Sequence, residues 1–119
     1  MLELSHKKLI AWQKAIQLLP LIYEICRKLP REENYIIVSQ MKRAALSVSN
    51  NIAEGASRKT KPDKKRFFEI SRSSVVEVDN CVTAGIALNY LTKEDVAQAG
   101  NAIIELFKLI SGLIDFNDK

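Results

Sequence analysis

Hydrophobic residues recur every three or four positions along most of this chain, which is the period of an amphipathic α-helix. The pattern divides into four segments, over about residues 6–29, 32–56, 61–89 and 93–117. None of them alternates with the two-residue period of a half-buried strand. Because the connections are short, consecutive helices should run antiparallel. The pattern predicts an all-α protein, an antiparallel up-and-down four-helix bundle formed by residues 1–119 as a single domain.

Residues typical of helix ends stand at the predicted boundaries. They are Ser5 before the first helix, Pro30 after it, Gly55 near the C-terminal cap of the second, and the pairs Thr60 with Asp63 and Thr92 with Asp95 before the third and fourth. Each of these two pairs has the spacing of a capping box. Pro20 lies inside the first helix, where it removes one backbone hydrogen bond, and therefore predicts a bend.

One apolar face of each helix is predicted to form the core. These faces are Leu9, Trp12, Ile16, Leu19, Tyr23, Cys26 and Leu29; Ile37, Met41, Ala44, Val48, Ile52 and Gly55; Phe67, Phe68, Ser71, Val75, Val78, Val82 and Gly85; and Val96, Ile103, Phe107, Ile110 and Ile114. Further apolar residues widen the faces of the first and third helices: Leu18, Leu21, Ile22, Ala84, Ile86, Ala87 and Tyr90. Surplus apolar surface predicts contacts between subunits without setting their number.

A band of polar residues borders the apolar face of the second helix instead of lying opposite it. The band is Gln40, Arg43, Ser47, Asn51 and Glu54, and Ser74 and Glu77 take the same position on the third helix. We expect these groups to be half-buried and to hydrogen-bond to one another across the two helices. Such a network would fix helix register. Subunit contacts and ligand binding are the alternative roles.

The segment SVSNNIAEG at residues 47–55 resembles the S-[IV]-P-x-N-I-A-E-G signature of a bacterial family. Its members are small proteins encoded in intervening sequences of 23S rRNA genes, also called the S23 ribosomal protein family. Further matching residues follow in the family's order: Trp12, Ala15, Tyr23, Pro30, Glu33, Gln40, Arg43, Ala44, Ser74, Glu77, and Leu88 to Leu91. Two positions differ, since Ser49 replaces the family's proline and Pro20 is not expected inside the first helix.

The resemblance implies a compact four-helix bundle, often a homopentamer, without an established enzymatic activity. It also suggests a relationship to the accessory protein of diversity-generating retroelements, a similar bundle that binds nucleic acid and a reverse transcriptase. These properties are expectations that follow from the family and not from the periodicity.

Basic residues are concentrated in the middle of the chain, where residues 42–72 carry nine basic and three acidic side chains in a protein of net charge +4. Seven of them surround the predicted loop and the start of the third helix: Arg58, Lys59, Lys61, Lys64, Lys65, Arg66 and Arg72. Cations at a helix N-terminus oppose its dipole, so local stability does not explain them. They fit a phosphate backbone, and a solvated loop is the alternative. Phe67 and Phe68 would either stack on bases or join the core.

No set of residues predicts catalysis, a cofactor or a metal. His6 is the single histidine, and Glu54 and Glu77 could at most form a carboxylate pair, without the Glu-x-x-His motifs of a di-iron bundle. Phosphate-binding loops, dinucleotide motifs and zinc spacings are missing. Cys26 and Cys81 lack CxxC spacing and are expected as buried free thiols in a reducing cytoplasm. No apolar run or secretory leader points to a membrane.

Two functions follow from these observations. The first is a non-catalytic, oligomeric nucleic-acid-binding protein that contacts the phosphate backbone of RNA or DNA through the region between the second and third helices. The second is a protein-interaction scaffold or an accessory subunit of a nucleic-acid enzyme. The partners expected are therefore further copies of the chain, RNA or DNA, and a nucleic-acid enzyme.

Overall fold

Four α-helices account for most of the chain in a computed structural model that describes all 119 residues. They are α1 (Ile10–Arg27), α2 (Ser39–Ser57), α3 (Lys61–Ala87) and α4 (Lys93–Asn117). A 3-10 turn, Ser5–Lys8, precedes α1, and a 3-10 turn, Arg31–Glu33, and a π-helical turn, Asn34–Val38, lead into α2. The prediction of an all-α fold is confirmed.

The helices pack in sequence order, α1 on α2, α2 on α3 and α3 on α4, and α1 also packs on α4. Contacts between distant segments show which connections share an end of the bundle. Lys28 Nζ lies 3.3 Å from Asp95 Oδ1, so the α1–α2 and α3–α4 connections meet. At the other end, Lys65 Nζ lies 2.6 Å from Asp118 Oδ1, which brings the start of α3 to the end of α4.

Two helix starts differ from the predicted ones. Ser5 begins a separate 3-10 turn, and α1 starts after Leu9, whose backbone is extended and carries no side-chain cap. The second helix was expected from about residue 32, whereas the chain after Pro30 passes through the 3-10 and π-helical turns before α2 begins at Ser39. Pro20 does lie inside α1.

The predicted caps of α3 and α4 are confirmed. Thr60 Oγ1 accepts a hydrogen bond of 3.3 Å from the Asp63 amide. At α4 the capping box is complete, since the Asp95 amide donates to Thr92 Oγ1 over 3.1 Å and the Thr92 amide donates to Asp95 Oδ2 over 2.8 Å. Each bond satisfies an amide that the first turn of a helix leaves without a partner.

The buried face of α1 is rotated by one residue from the predicted face. It consists of Ala11, Ala15, Leu18, Ile22, Ile25 and Cys26. Leu18 and Ile22, assigned above to subunit contacts, are fully buried within one chain, whereas Ile16 and Tyr23 are 38% and 40% exposed. Both neighbouring stripes of α1 are apolar, and the stripe with Ala11 and Ala15 permits the closer approach of neighbouring helices.

The other core faces agree more closely with the pattern. All predicted residues of α2 are buried, and Ile37 just before it is half-buried. In α3, Phe68 is buried and Phe67 is half-buried. In α4, Leu106 is fully buried and takes the place predicted for Phe107, which is 39% exposed.

Gly55 allows α2 and α3 to pack closely. A Cβ atom at this position would lie 2.6 Å from Cε1 of Phe68 and 3.2 Å from the Lys64 carbonyl oxygen. Its φ angle is not positive, and α2 continues to Ser57. Gly55 therefore lies near the C-terminal end of α2, as the sequence predicted, and the close packing on Phe68 explains why this position carries no side chain.

Gly55→Ala should lower the free energy of unfolding by about 1 kcal/mol, since the cost of overpacking exceeds the gain in helix propensity. Gly112→Ala is the matched control, because nothing lies within 4 Å of an added Cβ at that helical position. It should stabilise the protein by roughly 0.5–1 kcal/mol. Urea unfolding of both variants measures the difference, and equal stabilisation by the two alanines would contradict the packing role of Gly55.

The capping box predicts a pH dependence of stability. Hydrogen bonds from Thr92 lower the pKa of Asp95 below its ordinary value, and Lys28 lowers it further. A carboxyl with a depressed native-state pKa stabilises the fold above its unfolded-state pKa, and this contribution disappears as the pH falls through the native-state value. Asp95→Ala should therefore be less stable than the parent at pH 7, and the difference in unfolding free energy should shrink as the pH falls through the depressed native-state pKa of Asp95. Urea titrations at several pH values measure this difference, and Glu94→Ala, in the same turn, controls for the loss of a negative charge. A difference between Asp95→Ala and the parent that does not depend on pH would contradict the prediction.

Candidate nucleic-acid interface

The basic residues singled out in the sequence gather around one end of the bundle, where α2 ends and α3 begins. We call this surface the cationic end and define it by Arg58, Lys59, Lys61, Lys64, Lys65, Arg66 and Arg72. The first two lie in the connection after α2, and the next four lie in the first two turns of α3. Arg72 follows at about 9 Å further along the helix axis, from the rise of 1.5 Å per residue.

Three of these seven cations have a carboxylate partner in the same chain. Arg58 Nη2 lies 3.0 Å from Glu54 Oε2, Lys65 Nζ lies 2.6 Å from Asp118 Oδ1, and Arg66 Nε lies 3.7 Å from Asp63 Oδ1. The hydrogen bond and charge of Asp118 raise the pKa of Lys65, and the same contact lowers the pKa of Asp118. These pairs partly neutralise the face of α3 that carries Lys65 and Arg66.

The other four cations form no ion pair. Lys59 is exposed, and Lys61 Nζ approaches the backbone oxygen of Lys119 at 3.4 Å. Lys64 Nζ donates to the Ala56 carbonyl over 3.0 Å, which satisfies a carbonyl in the last turn of α2. Arg72 Nη1 donates to Ser111 Oγ over 3.1 Å. The positive charge without a carboxylate partner is therefore greatest around the α2–α3 connection.

Three phenylalanines lie near the cationic end, and they differ in how much of the ring is exposed to solvent. Phe68 is only 3% exposed and belongs to the core. Phe67 is flanked by two guanidinium groups, with Cζ of Arg58 and Arg66 at 4.6 and 4.3 Å from the ring centre. Phe68 therefore takes the core role considered above, and the half-buried ring of Phe67 is already engaged by two cations of the same chain. Phe116, which the sequence reasoning missed, is 66% exposed in the last turn of α4.

A cleft of about 450 Å³ lies beside Phe116. Its cationic side is formed by Lys59, Lys61 and Lys64, and its apolar side by Phe68, Leu113 and Phe116. Lys61 Nζ lies 5.4 Å from the centre of the Phe116 ring. The only sequence signal for this site was a phenylalanine outside the core stripe of α4, two positions after the buried Ile114.

The predicted polar network between α2 and α3 forms only in its short side chains. Ser74 Oγ donates to Ser47 Oγ over 2.9 Å, and Asn51 Nδ2 donates to the hydroxyl and carbonyl oxygens of Ser47, both at 2.9 Å. The remaining members, Gln40, Arg43, Glu54 and Glu77, are exposed and were wrongly expected to be half-buried. These longer side chains reach solvent, whereas the short side chains of Ser47 and Ser74 meet directly.

Ser71 belongs to the same contact, although it was assigned only to the apolar face of α3. It is fully buried, and its hydroxyl donates to the Val48 carbonyl over 2.8 Å. The hydroxyl thus connects α3 to the backbone of α2, next to the contact between Ser47 and Ser74.

The residues considered for other chemistry are separated in the structure. His6 packs against the edge of Trp12, with ring centres 5.2 Å apart, and Glu54 pairs with Arg58. No group of three His, Cys, Asp or Glu side chains is placed to hold a metal ion. Cys26 and Cys81 are buried free thiols, and burial raises the pKa of both. None of the helices is both long and apolar enough to cross a membrane.

Comparisons with known proteins agree with this fold. A sequence model of the family described as 23S rRNA-intervening sequence protein matches residues 7–112. A crystal structure of a protein with unknown function from the S23 ribosomal protein family of Bacteroides thetaiotaomicron superposes with a TM-score of 0.80 at 20% identity. The alignment covers 89% of this chain and 96% of that protein. No curated protein is significantly similar in sequence.

The serine contact between α2 and α3 can be measured by a double-mutant cycle. Ser47→Ala and Ser74→Ala should each lower the free energy of unfolding by about 0.5–1.5 kcal/mol, with a coupling energy of roughly 0.5–1 kcal/mol between them. Ser73→Ala, on the exposed side of α3, should change stability little. Strictly additive effects in urea unfolding would show that the two hydroxyls do not interact.

Proposed function

The chain belongs to the 23S rRNA-intervening sequence protein family, and from this premise and its cationic end we propose that it binds the phosphate backbone of RNA or DNA as a non-catalytic homo-oligomer. One observation carries the proposal. Lys59, Lys61 and Lys64 line one cleft beside the α2–α3 connection, and none of them pairs with an Asp or Glu side chain. Lys64 Nζ contacts the Ala56 carbonyl, and Lys61 Nζ contacts the main-chain oxygen of the last residue, Lys119.

A bound anion would account for lysines without an Asp or Glu partner at this position. Lys61 is the first residue of α3, where a cation opposes the positive end of the helix dipole. A bound phosphate would reverse this conflict, because the lysines and the helix dipole would then attract the same anion. Binding would also release counterions condensed on the nucleic acid, which favours association at low salt.

The proposed binding has little sequence specificity. Lysine side chains that contact phosphates position a nucleic acid without distinguishing its bases. The family description refers to a 23S rRNA gene and makes RNA a reasonable first probe. An oligomer would strengthen the interaction, since each copy adds one cationic end to the same assembly.

An apolar groove between α3 and α4 supports the proposed assembly. Its volume is about 270 Å³, and Val76, Ile104 and Phe107 on its rim are 53%, 57% and 39% exposed. Exposed apolar surface of this kind is typical of protein contacts. We expect a pentamer by resemblance to the family, and light scattering of the purified protein measures the subunit number.

The same groove favours the second candidate, a protein-interaction scaffold or accessory subunit of a nucleic-acid enzyme. In that role another protein would occupy the groove, and the cationic end would not contact nucleic acid. The two candidates differ in whether the purified chain alone binds nucleic acid. In either role we propose a cytoplasmic protein without catalytic activity, with Cys26 and Cys81 kept reduced.

Lys59→Glu combined with Lys61→Glu should weaken binding to RNA and DNA at least about tenfold at low salt, because two phosphate contacts become repulsive. The slope of log affinity against log salt should fall by about 1 for each lysine that no longer binds a phosphate. Glutamate at the first position of α3 suits the helix dipole, so the fold should persist. Fluorescence anisotropy with labelled RNA, single-stranded DNA and duplex DNA measures the affinities.

Arg31→Glu combined with Lys93→Glu is the matched control. It changes the net charge equally at the opposite end of the bundle, and Lys93 is likewise the first residue of its helix. The control should bind nearly as well as the parent. Equal weakening by both pairs, or no binding by the parent chain at low salt, would contradict the proposed function.

A further inference from the structure

The cleft at the cationic end combines two kinds of surface that a phosphate backbone alone does not need. Its lining includes the cations Lys59, Lys61 and Lys64 and the apolar side chains of Phe68, Leu113 and Phe116. Phe116, in the last turn of α4, is 66% exposed. A solubilising cationic loop would not explain an exposed ring beside it.

We propose that this cleft holds an unpaired base of a single-stranded nucleic acid, stacked on Phe116, while Lys59 and Lys61 contact the adjoining phosphates. The inference rests on the proposed function and adds to it the class of nucleic acid, a flexible single strand instead of a continuous duplex. Aromatic stacking beside a cationic groove is the usual physical basis of such binding.

The dimensions of the cleft suit this ligand. Sites for small organic groups have volumes of roughly 300–1,000 Å³, and the cleft measures about 450 Å³. Lys61 Nζ lies over the Phe116 ring, 5.4 Å from its centre, so a base that stacks on this face would take the place of the lysine and move it towards the adjoining phosphate. A base placed on the ring would therefore have a cation within reach of its phosphate.

The electrostatic surroundings favour the same position. The carboxylate of Asp118, two residues after Phe116, is engaged by Lys65 at 2.6 Å and so is partly compensated. Lys59 has no ion pair, Lys64 contacts the Ala56 carbonyl, and Lys61 contacts the main-chain oxygen of the last residue, Lys119. An anion approaching the cleft therefore meets Lys59 and Lys64, which no carboxylate of the chain compensates.

A duplex cannot use the ring in this way, because its bases are already stacked and paired. Phosphates of either form can contact the lysines, but only a strand with unpaired bases can place one in the cleft. The Phe116 ring should therefore raise affinity for single strands and leave affinity for duplexes unchanged. Loss of the lysines should weaken both.

The test compares Phe116→Leu, which keeps an apolar side chain but removes the ring, with the parent protein. Fluorescence anisotropy is measured with a labelled 20-nucleotide oligoadenylate strand and a 20-base-pair duplex at the same salt concentration. Phe116→Leu should weaken binding to the strand about fivefold or more, with little change for the duplex. Tyr35→Leu is the control, since Tyr35 is 94% exposed in the α1–α2 connection at the opposite end. It should change neither affinity.

A photocrosslink provides a direct second readout. A single strand carrying 5-iodouridine should crosslink to the peptide containing Phe116, and an excess of duplex should compete by occupying the lysines. Adenosine monophosphate should compete poorly, because it lacks the neighbouring phosphates; competition at the level of the oligonucleotide would instead assign the cleft to free nucleotides and overturn the proposal.

The outcomes separate this inference from the proposed function. If Phe116→Leu changes neither affinity, or changes both equally, the stacking site is wrong while the backbone contact stands. If Lys59→Glu with Lys61→Glu also leaves both affinities unchanged, the proposed function fails and the stacking site with it. Selective weakening of single-strand binding, with the crosslink at Phe116, supports both.

Discussion

The close approach of α2 and α3 is the constraint on which the rest of this structure depends. It is possible because small residues face one another along the contact. Gly55 leaves its side-chain space to the ring of Phe68, and the hydroxyl of Ser71 reaches the carbonyl of Val48 at 2.8 Å. The hydrogen bond between the side chains of Ser74 and Ser47 requires one particular register, since a helix displaced by a turn would separate the two hydroxyls.

This register also decides where the charged side chains lie. Gly55 is followed within three residues by the end of α2, and Phe68 begins the core face of α3. The residues between Gly55 and Phe68 lie outside the contact between α2 and α3, which is filled by small side chains and by Phe68. Their long cationic side chains therefore extend around the end of the bundle, where α4 brings Phe116 and Asp118 to meet them.

The number of helices and the caps of α3 and α4 could be predicted because they depend on local periodicity and on hydrogen bonds between residues three apart. The buried face of α1 could not, since two adjacent stripes are both apolar and tertiary packing chooses between them. The choice between Leu106 and Phe107 in α4 has the same origin. In the polar band, spacing identified Ser47, Asn51 and Ser74, but the longer side chains reach solvent instead of the contact.

The contacts of the candidate site could not be predicted from the sequence, because they join residues that are far apart in the chain. Lys65 and Asp118 pair across 53 positions, and Lys61 reaches the ring of Phe116 only after the bundle has formed. These contacts determine which residues of the basic cluster keep their positive charge free for a ligand. Carboxylates compensate Arg58, Lys65 and Arg66, so the cluster is not uniformly positive. The uncompensated charge instead lies beside the cleft, on Lys59 and Lys64, while Lys61 lies over the exposed aromatic ring.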